Sequence, residues 1–400
     1  MQLSERLGLN RIVVALSFAR FGDAMGNSIL IVVIPLYVAK LPGPDLPESF
    51  LVGLLISAYG IIFTFAQPFT GSWSDRLGRR KIFIQAGLFL MLVSTLAYIL
   101  AGRFLSLVFI RLLQGVGVAF TVPASLAVMA EASERSTRGG SMGFFSMLRM
   151  AGFALGPLVG GLLQVHVGFN AAFLAGGGLL LMGMLMVQFW VKEPPTPVRD
   201  SADDGGFKLF DRKLLAGGLL YIGLAMFMMS SAFSMMSALE NEFNQRLQQT
   251  AIGFGIAFSA LTASRFLFQL PFGRLSDRIG RRPLIVLGLI LMAPATLLQG
   301  LVTSTLQLTI VRVFQGFASS MIAAPGFALA GDISQAGGEG RQMSILAMGF
   351  GLGIAIGPLI AGSLATISFE LPFAVGAVLS LIGAWMVQRF VVETVQPDES

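Results

Sequence analysis

The amino-acid sequence predicts an all-α membrane protein with twelve transmembrane helices in two pseudo-symmetric six-helix bundles. The first observation behind this prediction is composition: of 400 residues, 55% are hydrophobic and 12% are charged, with a mean hydropathy of +0.79. One soluble core cannot bury that much apolar surface, so lipid must act as solvent for a large part of it. The other two observations are a series of long apolar runs and an internal repeat.

Twelve segments of the chain are long enough and apolar enough to span a membrane, which takes about 20 mainly apolar residues. They are 12–39, 51–70, 82–102, 104–130, 141–163, 169–191, 213–237, 251–272, 283–303, 306–330, 342–366 and 370–392. Their continuous apolar character excludes a transmembrane β-barrel, whose strands alternate polar and apolar residues. The first run is too long for a cleavable signal peptide, so we expect it to remain as helix 1.

The basic residues agree with this topology, because Lys and Arg collect in short loops on the cytoplasmic side of a membrane. With both termini in the cytoplasm, nineteen of the 27 Lys and Arg residues fall in cytoplasmic segments. Only Lys40, Arg103 and Arg246 lie on the other side, and the remaining five lie within predicted helices. The net charge of +6 is therefore explained by topology and by anionic inner-leaflet lipids, and no nucleic-acid partner is expected.

The chain also repeats itself at an offset of 201 to 202 residues. The matching segments are Gly71–Arg80 with Gly273–Arg282, Arg111–Gly115 with Arg312–Gly316, and Gly156–Leu158 with Gly357–Leu359. Three landmarks in one order at one spacing indicate a duplication. Repeated halves within a membrane are typical of secondary transporters, whose substrate sites form where the halves meet.

A segment rich in proline, charge and glycine separates the two halves after Glu193. Prolines prevent a helix from continuing, and this composition disfavours packing. We therefore predict an N-terminal bundle over 1–192, a cytoplasmic linker over 193–212 and a C-terminal bundle over 213–400.

Several kinds of chemistry are not expected from these residue types. The chain has no cysteine, which excludes disulfides, thiol catalysis and Cys-based metal sites. The single histidine, His166, lacks companions at ligand spacing, so neither a metal nor a cofactor is expected. No paired acids, histidine cluster or activated nucleophile accompanies the helices, and we do not expect an enzyme.

The repeated motifs resemble signatures of the major facilitator superfamily, and the resemblance spans essentially the whole chain. Gly71–Arg80 looks like the signature between helices 2 and 3, and Arg111–Gly117 looks like the helix 4 signature. Gly152–Gly161 is similar to the helix 5 signature of drug/proton antiporters. The resemblance implies a central cavity lined mainly by helices 1, 4, 7 and 10, with alternating access by rocking of the two bundles.

The first of these signatures and its copy predict a cytoplasmic gate. The resemblance implies that Asp75 meets the start of helix 11, where a helix N-terminus favours a carboxylate. Glu131, at the inner end of helix 4, is a natural partner for Arg79 or Arg80, and Asp332 takes the matching place on helix 10. The alternative is that these charges only fix topology. The predicted gating residues are Gly71, Asp75, Arg76, Gly78, Arg79, Arg80, Glu131, Asp277, Arg278, Arg281 and Asp332.

Glycines on helix 5 predict a close helix contact. Gly152, Gly156 and Gly160 recur every four residues, so they share one face that admits a neighbouring backbone. Pro157 removes a backbone donor and can bend the helix. Because the resemblance implies that helix 5 packs against helix 8, we expect this face to be a sliding contact between the halves. The matching residues on helix 11 are Gly357 and Pro358.

Asp23 is the only acidic residue near the middle of a predicted helix. A carboxylate is costly to bury in a bilayer, so such a residue faces a cavity or a partner and is functional by default. Arg20 and Asn27 lie on nearly the same face, at i−3 and i+4, and the resemblance implies an acid at this depth in many antiporters. We predict that Asp23 binds the coupling proton or a cationic group of the substrate. The alternative is a permanent structural pair with Arg20 or another helix arginine.

Four more arginines lie within predicted helices. The resemblance implies that Arg111 faces the interior and influences proton exchange, and Arg312 is its copy on helix 10. Arg149 and Arg265 have no such copies, and we expect them to converge from helices 5 and 8 toward the cavity. Since arginine keeps its charge and suits carboxylates and phosphates, this pair would favour an anionic, zwitterionic or lipid-like substrate. The alternative is that both arginines snorkel or bond to carbonyls without a ligand.

Phenylalanine and methionine are abundant, with 34 and 20 residues, and both can line an adaptable apolar pocket. For each of them the alternative is ordinary helix packing, which any hydrophobic bundle requires. The residues that we assign to the cavity are Phe21, Phe120, Met226, Phe227 and Phe233.

The leading hypothesis is a proton-coupled antiporter in the cytoplasmic membrane that exports small amphipathic compounds such as drugs or metabolites. We expect a monomer surrounded by membrane lipids, with a small-molecule substrate and the proton as coupling ion. One alternative is a carrier of an organic anion or a lysolipid. A less favoured one is a non-transporting receptor on the same fold, since a receptor would be expected to carry large extramembrane domains.

Overall fold

Twelve long helices dominate the computed structural model, which describes residues 9–133, 137–193, 218–333 and 339–395. Each is long and apolar enough to cross a membrane, and no strand occurs within these ranges. The predicted all-α, twelve-span fold is therefore confirmed. The helices are α1 Arg11–Val38, α2 Glu48–Leu77, α3 Arg80–Ala97, α4 Phe104–Ala132, α5 Arg138–His166, α6 Phe169–Trp190, α7 Leu219–Ser234, α8 Ala251–Ile279, α9 Arg281–Gln299, α10 Thr305–Ile333, α11 Glu339–Ala365 and α12 Leu371–Phe390.

Two of the helices continue well beyond their apolar runs. The sequence places the ends of the second and eighth runs at 70 and 272, whereas α2 continues to Leu77 and α8 to Ile279. Hydropathy marks where a chain leaves the hydrocarbon, and a polar helix can continue past that point. Each helix ends directly before a glycine with positive φ, at Gly78 (60°) and Gly280 (99°), a conformation that other residues rarely adopt. Each copy of the gate motif therefore spans about the last two turns of one helix and the start of the next.

The helices form two compact units. Unit 1 comprises Met1–Asp45, Ile61–Asp203 and Thr250–Ser259, and unit 2 comprises Leu46–Gly60, Asp204–Gln249 and Ala260–Ser400. The first part of α2 thus belongs to unit 2, and the first part of α8 belongs to unit 1. Residues 194–212 of the expected linker lie outside the described ranges, and the division at 193–212 stays a prediction.

The glycine face of α5 lies against α1 within unit 1. A Cβ atom at Gly152 would lie 2.7 Å from the carbonyl oxygen of Phe21, and one at Gly156 would lie 2.8 Å from that of Met25. Gly160 faces Ile29 in the same way. The expectation that this face packs against helix 8 is therefore wrong. A four-residue glycine repeat fixes which residues share a face, but it does not specify which helix fills that face.

Helix 8 meets α5 on a neighbouring face instead. A Cβ atom at Gly161 would lie 2.6 Å from the carbonyl oxygen of Ala251, and one at Gly255 would lie 2.5 Å from that of Pro157. Positions 157 and 161 each follow a glycine of the first face, so they are turned from it by about 100°. Helix α5 thus contacts α1 and the first part of α8 through two adjacent faces.

Unit 2 repeats this arrangement, with α11 in the place of α5. A Cβ atom at Gly357 would lie 2.6 Å from the carbonyl oxygen of Ser231 on α7. The hydroxyl of Ser234 donates to the carbonyl of Gly353 at 3.1 Å, as the hydroxyl of Ser28 does to that of Gly152 in unit 1. The predicted packing role of Gly357 is thus a contact between α11 and α7.

Candidate functional site

The charged residues of α1 form a buried pair in unit 1. Arg20 and Asp23 are only 9% and 2% exposed, and Nη1 of Arg20 donates to Oδ2 of Asp23. The charge of Arg149 on α5 acts on the same carboxylate. Asn27 is half-buried one turn further along α1 and also makes polar or electrostatic contacts. The structure therefore brings two of the predicted coupling and substrate residues, Arg20 and Arg149, to one acid.

Small residues bring α1 close enough to its neighbours to cover this acid. A Cβ atom at Gly22 would lie 2.7 Å from the carbonyl oxygen of Leu179 on α6, and one at Gly26 would lie 3.2 Å from that of Gly176. Because α5 covers another side of α1, Asp23 is enclosed by protein and does not face lipid. A carboxylate held this way can accept a proton and release its arginine partner without exposing charge to hydrocarbon.

The helix 4 and helix 10 arginines occupy equivalent hydrogen-bond networks. Arg111 donates from Nη1 to Oε1 of Gln114 at 3.2 Å, and Gln114 donates to Thr95 of α3 at 3.0 Å. In unit 2 the corresponding distances are 2.6 Å from Arg312 to Gln315 and 3.3 Å from Gln315 to Thr296 of α9. Each network ties a signature arginine to the preceding helix. The influence of Arg111 on proton exchange stays a prediction.

The predicted pocket residues lie in different surroundings. Phe120 packs in an aromatic cluster, stacked on Phe83 at 5.4 Å between ring centroids and edge-on to Trp73 at 6.0 Å. Met226 is fully buried in the apolar core of unit 2, and the Phe233 ring lies 5.8 Å from the guanidinium carbon of Arg312. The four phenylalanines, Phe21, Phe120, Phe227 and Phe233, are half-buried. The side chains of Phe120, Met226 and Phe233 thus contact neighbouring residues within their own units, as packing requires.

Arg149 and Arg265 each pack over an aromatic ring. The guanidinium carbon of Arg149 lies 5.9 Å from the ring centroid of Phe153, and that of Arg265 lies 5.1 Å from Phe350. Both arginines are half-buried. Arg149 belongs to unit 1 and Arg265 to unit 2, so their convergence stays a prediction.

The gate motifs form ion pairs with the ends of the signature helices. Of the two candidate arginines, Arg80 pairs with Glu131. In unit 2, Arg281 lies 2.6 Å from Asp332 and 3.2 Å from Asp277. Residues of the predicted gate that are exposed are Arg76, Arg79, Glu131, Asp277, Arg278 and Asp332.

The proposed contact of Asp75 with the start of helix 11 falls outside the described side chains, both at Asp75 and over 339–344. That contact therefore stays a prediction. Gly71 lies on α2, where a Cβ atom would meet Pro123 of α4 at 3.2 Å.

Comparison with known proteins agrees with this architecture. The sequence model of the Major Facilitator Superfamily matches residues 16–262 and 220–400. The chain belongs to the Major Facilitator Superfamily. Within the superfamily it is similar to the multi-drug resistance efflux pump PmrA of Streptococcus pneumoniae, at 27% identity over 357 residues, covering 88% of this chain and 89% of PmrA. The quinolone resistance protein NorA of Staphylococcus aureus is 26% identical over 397 residues, covering 95% and 96% of the two chains.

Solved structures of Major Facilitator Superfamily transporters share the fold. A bacterial homologue of the human lysosomal transporter Spinster, in an inward-facing and unoccupied conformation, matches with a TM-score of 0.78 at 17% identity, covering 94% of this chain and 95% of that chain. The human organic anion transporter MFSD10 matches with a TM-score of 0.71 at 19% identity, covering 94% and 99%. The chain is thus a multi-pass membrane transporter of a superfamily that includes drug efflux pumps.

Sequence reasoning missed a pair of glutamates that cap helices beside the gate motifs. Glu393, just after α12, accepts hydrogen bonds from the backbone N–H groups of Arg281 at 3.1 Å and Arg282 at 2.8 Å. In unit 1, Glu193 after α6 accepts one bond from the N–H of Lys81 at 3.1 Å. The free N–H groups of a helix start favour such an anion. The repeated pattern of Val191-x-Glu193 and Val391-x-Glu393 was the available signal.

Replacing Glu393 with glutamine is expected to lower the free energy of unfolding by about 1 kcal/mol at neutral pH, since it weakens a helix cap. Burial opposes ionisation of Glu393, but backbone N–H bonds outweigh it and lower the pKa of this carboxyl. Its stabilising effect is therefore present above the ordinary carboxyl pKa and is lost as the pH falls through the lowered value. Thermal unfolding in detergent at neutral and acidic pH measures this difference. Glu193→Gln, which weakens a single exposed bond, should have a smaller effect; equal effects would contradict the capping role.

Proposed function

We propose that this protein is a proton-coupled antiporter that exports small amphipathic compounds by alternating access. It would work as a monomer in the cytoplasmic membrane, with both termini in the cytoplasm and with no catalytic activity. The bias of Lys and Arg toward one set of loops supports this orientation.

The observation that carries the proposal is the buried Asp23 carboxylate beside Arg20 and Arg149. While Asp23 is ionised, the neighbouring arginines compensate its negative charge. A proton that binds to this carboxylate competes directly with Arg20. Protonation would release the Arg20 guanidinium to another anion or carbonyl. A proton and a rearrangement of charge are thereby linked at one position, which is what coupling requires.

The similarity to PmrA and NorA supports small amphipathic compounds as the substrate class, because both names denote drug resistance. A specific observation also favours a second candidate, a carrier of an organic anion or a lysolipid. Arg149 and Arg265 each present a half-buried guanidinium over an aromatic ring, and such a group binds a carboxylate or phosphate in a fixed geometry.

Transport by purified protein in liposomes tests the proposal. An imposed pH gradient should drive accumulation of an amphipathic cation such as ethidium, and a proton exchanger that collapses the gradient should abolish it. Organic anions and lysophosphatidylcholine should not compete. Competition by these compounds would favour the second candidate, and the absence of any gradient-driven flux across the whole panel would contradict proton antiport.

The motif at the end of α2 is proposed to bias the gate. Exposed ion pairs of this kind contribute about 0–1 kcal/mol each, yet a modest bias suffices to shift two conformations. We expect Asp75→Asn to impair transport in the liposome assay without lowering the amount of protein inserted in the membrane. Asp45→Asn, an exposed acid in a loop, is the control. Wild-type transport by Asp75→Asn would remove the gate role and leave topology as its explanation.

A further inference from the structure

A carboxylate lies buried just beyond the end of α7, where no part of the proposed transport cycle uses it. Glu240 is 0% exposed, and neither of its carboxylate oxygens has a hydrogen-bond partner among the residues that the structure describes. Asn244 lies near enough to act on this carboxylate electrostatically, but its position falls short of hydrogen-bond geometry. Burial of an ionised carboxylate without a partner is strongly unfavourable.

The surroundings of Glu240 explain why water does not solvate it. Glu240 begins a short helix, Glu240–Arg246, that follows α7 in unit 2. At the spacing i, i+3 and i+7, Glu240 shares a face with Phe243 and Leu247, both of which are buried. Phe243 packs edge-on against Phe369, with 4.9 Å between ring centroids. Glu240 thus occupies a position where an apolar residue is ordinarily found.

Another part of the short helix holds the first turn of α2, which also belongs to unit 2. The amide of Asn241 donates to the carboxylate of Glu48. If the short helix moves, this bond to α2 must change as well.

The described charged groups around the short helix offer Glu240 no counter-charge. Glu48 on α2 and Glu242 on the short helix are both acids. Arg246, at the other end of the short helix, is bonded to Glu370 before α12 at 2.7 Å. A bound metal is also disfavoured, because no group of three or more metal-ligating side chains occurs among the described residues.

We propose that Glu240 is a proton-binding site. Its proton keeps the short helix packed against the start of α12, and it thereby keeps the first turn of α2 bonded to the short helix. Loss of the proton would leave a negative charge without a partner in apolar surroundings. Water would then enter, the buried face of the short helix would separate from Phe369, and the bond from Asn241 to Glu48 of α2 would loosen.

The chemistry of the carboxyl agrees with this assignment. Burial raises the pKa of Glu240 well above its ordinary value, and Asn244 only partly opposes that effect. The neighbouring Glu242 also has a raised pKa, chiefly through burial. If the proposed topology and antiport hold, this end of α7 faces outward, and the external pH sets how often Glu240 is protonated. This dependence on external pH rests on the proposed function, whereas the proton site itself does not.

Thermal unfolding in detergent, without substrate or gradient, tests the proton site apart from transport. A group whose pKa is raised in the folded protein stabilises it below the unfolded pKa, and this contribution is lost as the pH rises through the folded pKa. Wild-type Tm should therefore fall on the order of 1–3 °C per pH unit as the pH rises above the ordinary carboxyl range. Glu240→Gln, which resembles the protonated acid, should remove that fall. Asp45→Asn, at an exposed loop acid, should keep it.

An unchanged Tm slope in Glu240→Gln would overturn the proposal. If Glu240→Gln destabilises the protein, Glu240→Leu is the alternative variant. Leucine fills the same apolar position and should also remove the fall of Tm with pH. Hydrogen exchange of wild-type protein gives a local measurement that needs no variant. The short helix and the first turn of α2 should lose protection together as the pH rises, beyond the intrinsic acceleration of exchange; constant protection of both segments would also reject the switch.

Discussion

Replacing Asp23 with asparagine is expected to reduce pH-driven transport in liposomes to the level of protein-free vesicles. Asparagine keeps the size and the acceptor oxygen of Asp23 but cannot bind and release a proton near neutral pH. Counterflow of substrate, which needs no gradient, should persist, because the binding of cargo and the movement of the bundles remain. Asp45→Asn, which removes an exposed loop acid, should behave like the wild type in both assays.

A double variant separates the carrier role from a structural ion pair. Removing one member of a buried pair leaves an uncompensated charge and destabilises a protein by about 3–5 kcal/mol, so loss of transport by Asp23→Asn alone could reflect poor folding. The combination Arg20→Gln with Asp23→Asn removes both charges and should recover thermal stability. Gradient-driven transport should stay absent in this folded double variant. Restored coupling would mean that Asp23 serves structure alone.

Replacing Gly156 with valine is expected to have a large effect on folding. A Cβ atom there would lie 2.8 Å from the carbonyl oxygen of Met25 and would overlap the hydroxyl of Ser28. The backbone of α1 cannot yield locally, so α1 and α5 must separate, which costs about 3 kcal/mol. The valine side chain would also disturb the hydrogen bond from the Ser28 hydroxyl to the carbonyl of Gly152. We expect loss of the monodisperse peak in size-exclusion chromatography and a lower Tm for any protein that remains.

Gly143→Val is the matched control for this change. Gly143 lies on the same helix, and a Cβ atom there would meet nothing within 4 Å. Both substitutions introduce the same β-branched residue and the same change in helix propensity. A similar loss in both variants would attribute the effect to propensity and contradict close packing of α5 on α1.

Much of the fold follows from the sequence because apolar length is a direct requirement of the bilayer. Twelve runs predicted twelve helices, and all twelve are present. The ends of α2 and α8 could not be predicted from hydropathy, since their last turns are polar. The glycines with positive φ that end them, Gly78 and Gly280, were visible in the sequence as repeated positions.

The charged part of the candidate site could be predicted because charged residues are rare inside transmembrane helices. Asp23 and Arg20 follow from that rarity and from their spacing along one helix. Contacts between distant segments were harder to predict. Neither the α1 partner of Gly156 nor the burial of Glu240 can be read from local spacing, because each depends on how separate helices approach. Glu240 in particular resembles an ordinary loop acid in the sequence, and only the packing of Phe243 shows that its face is buried.

The cap at Glu393 sets a practical boundary for protein engineering. An affinity tag or fluorescent fusion joined after Val395 leaves the acceptor of the α9 amides intact. A junction placed directly after Phe390 would delete that acceptor and also the hydroxyl of Thr394, which donates to Asp332 at 2.8 Å. Shortened versions designed only from the end of the last span would therefore lose support for a helix more than a hundred positions earlier in the chain.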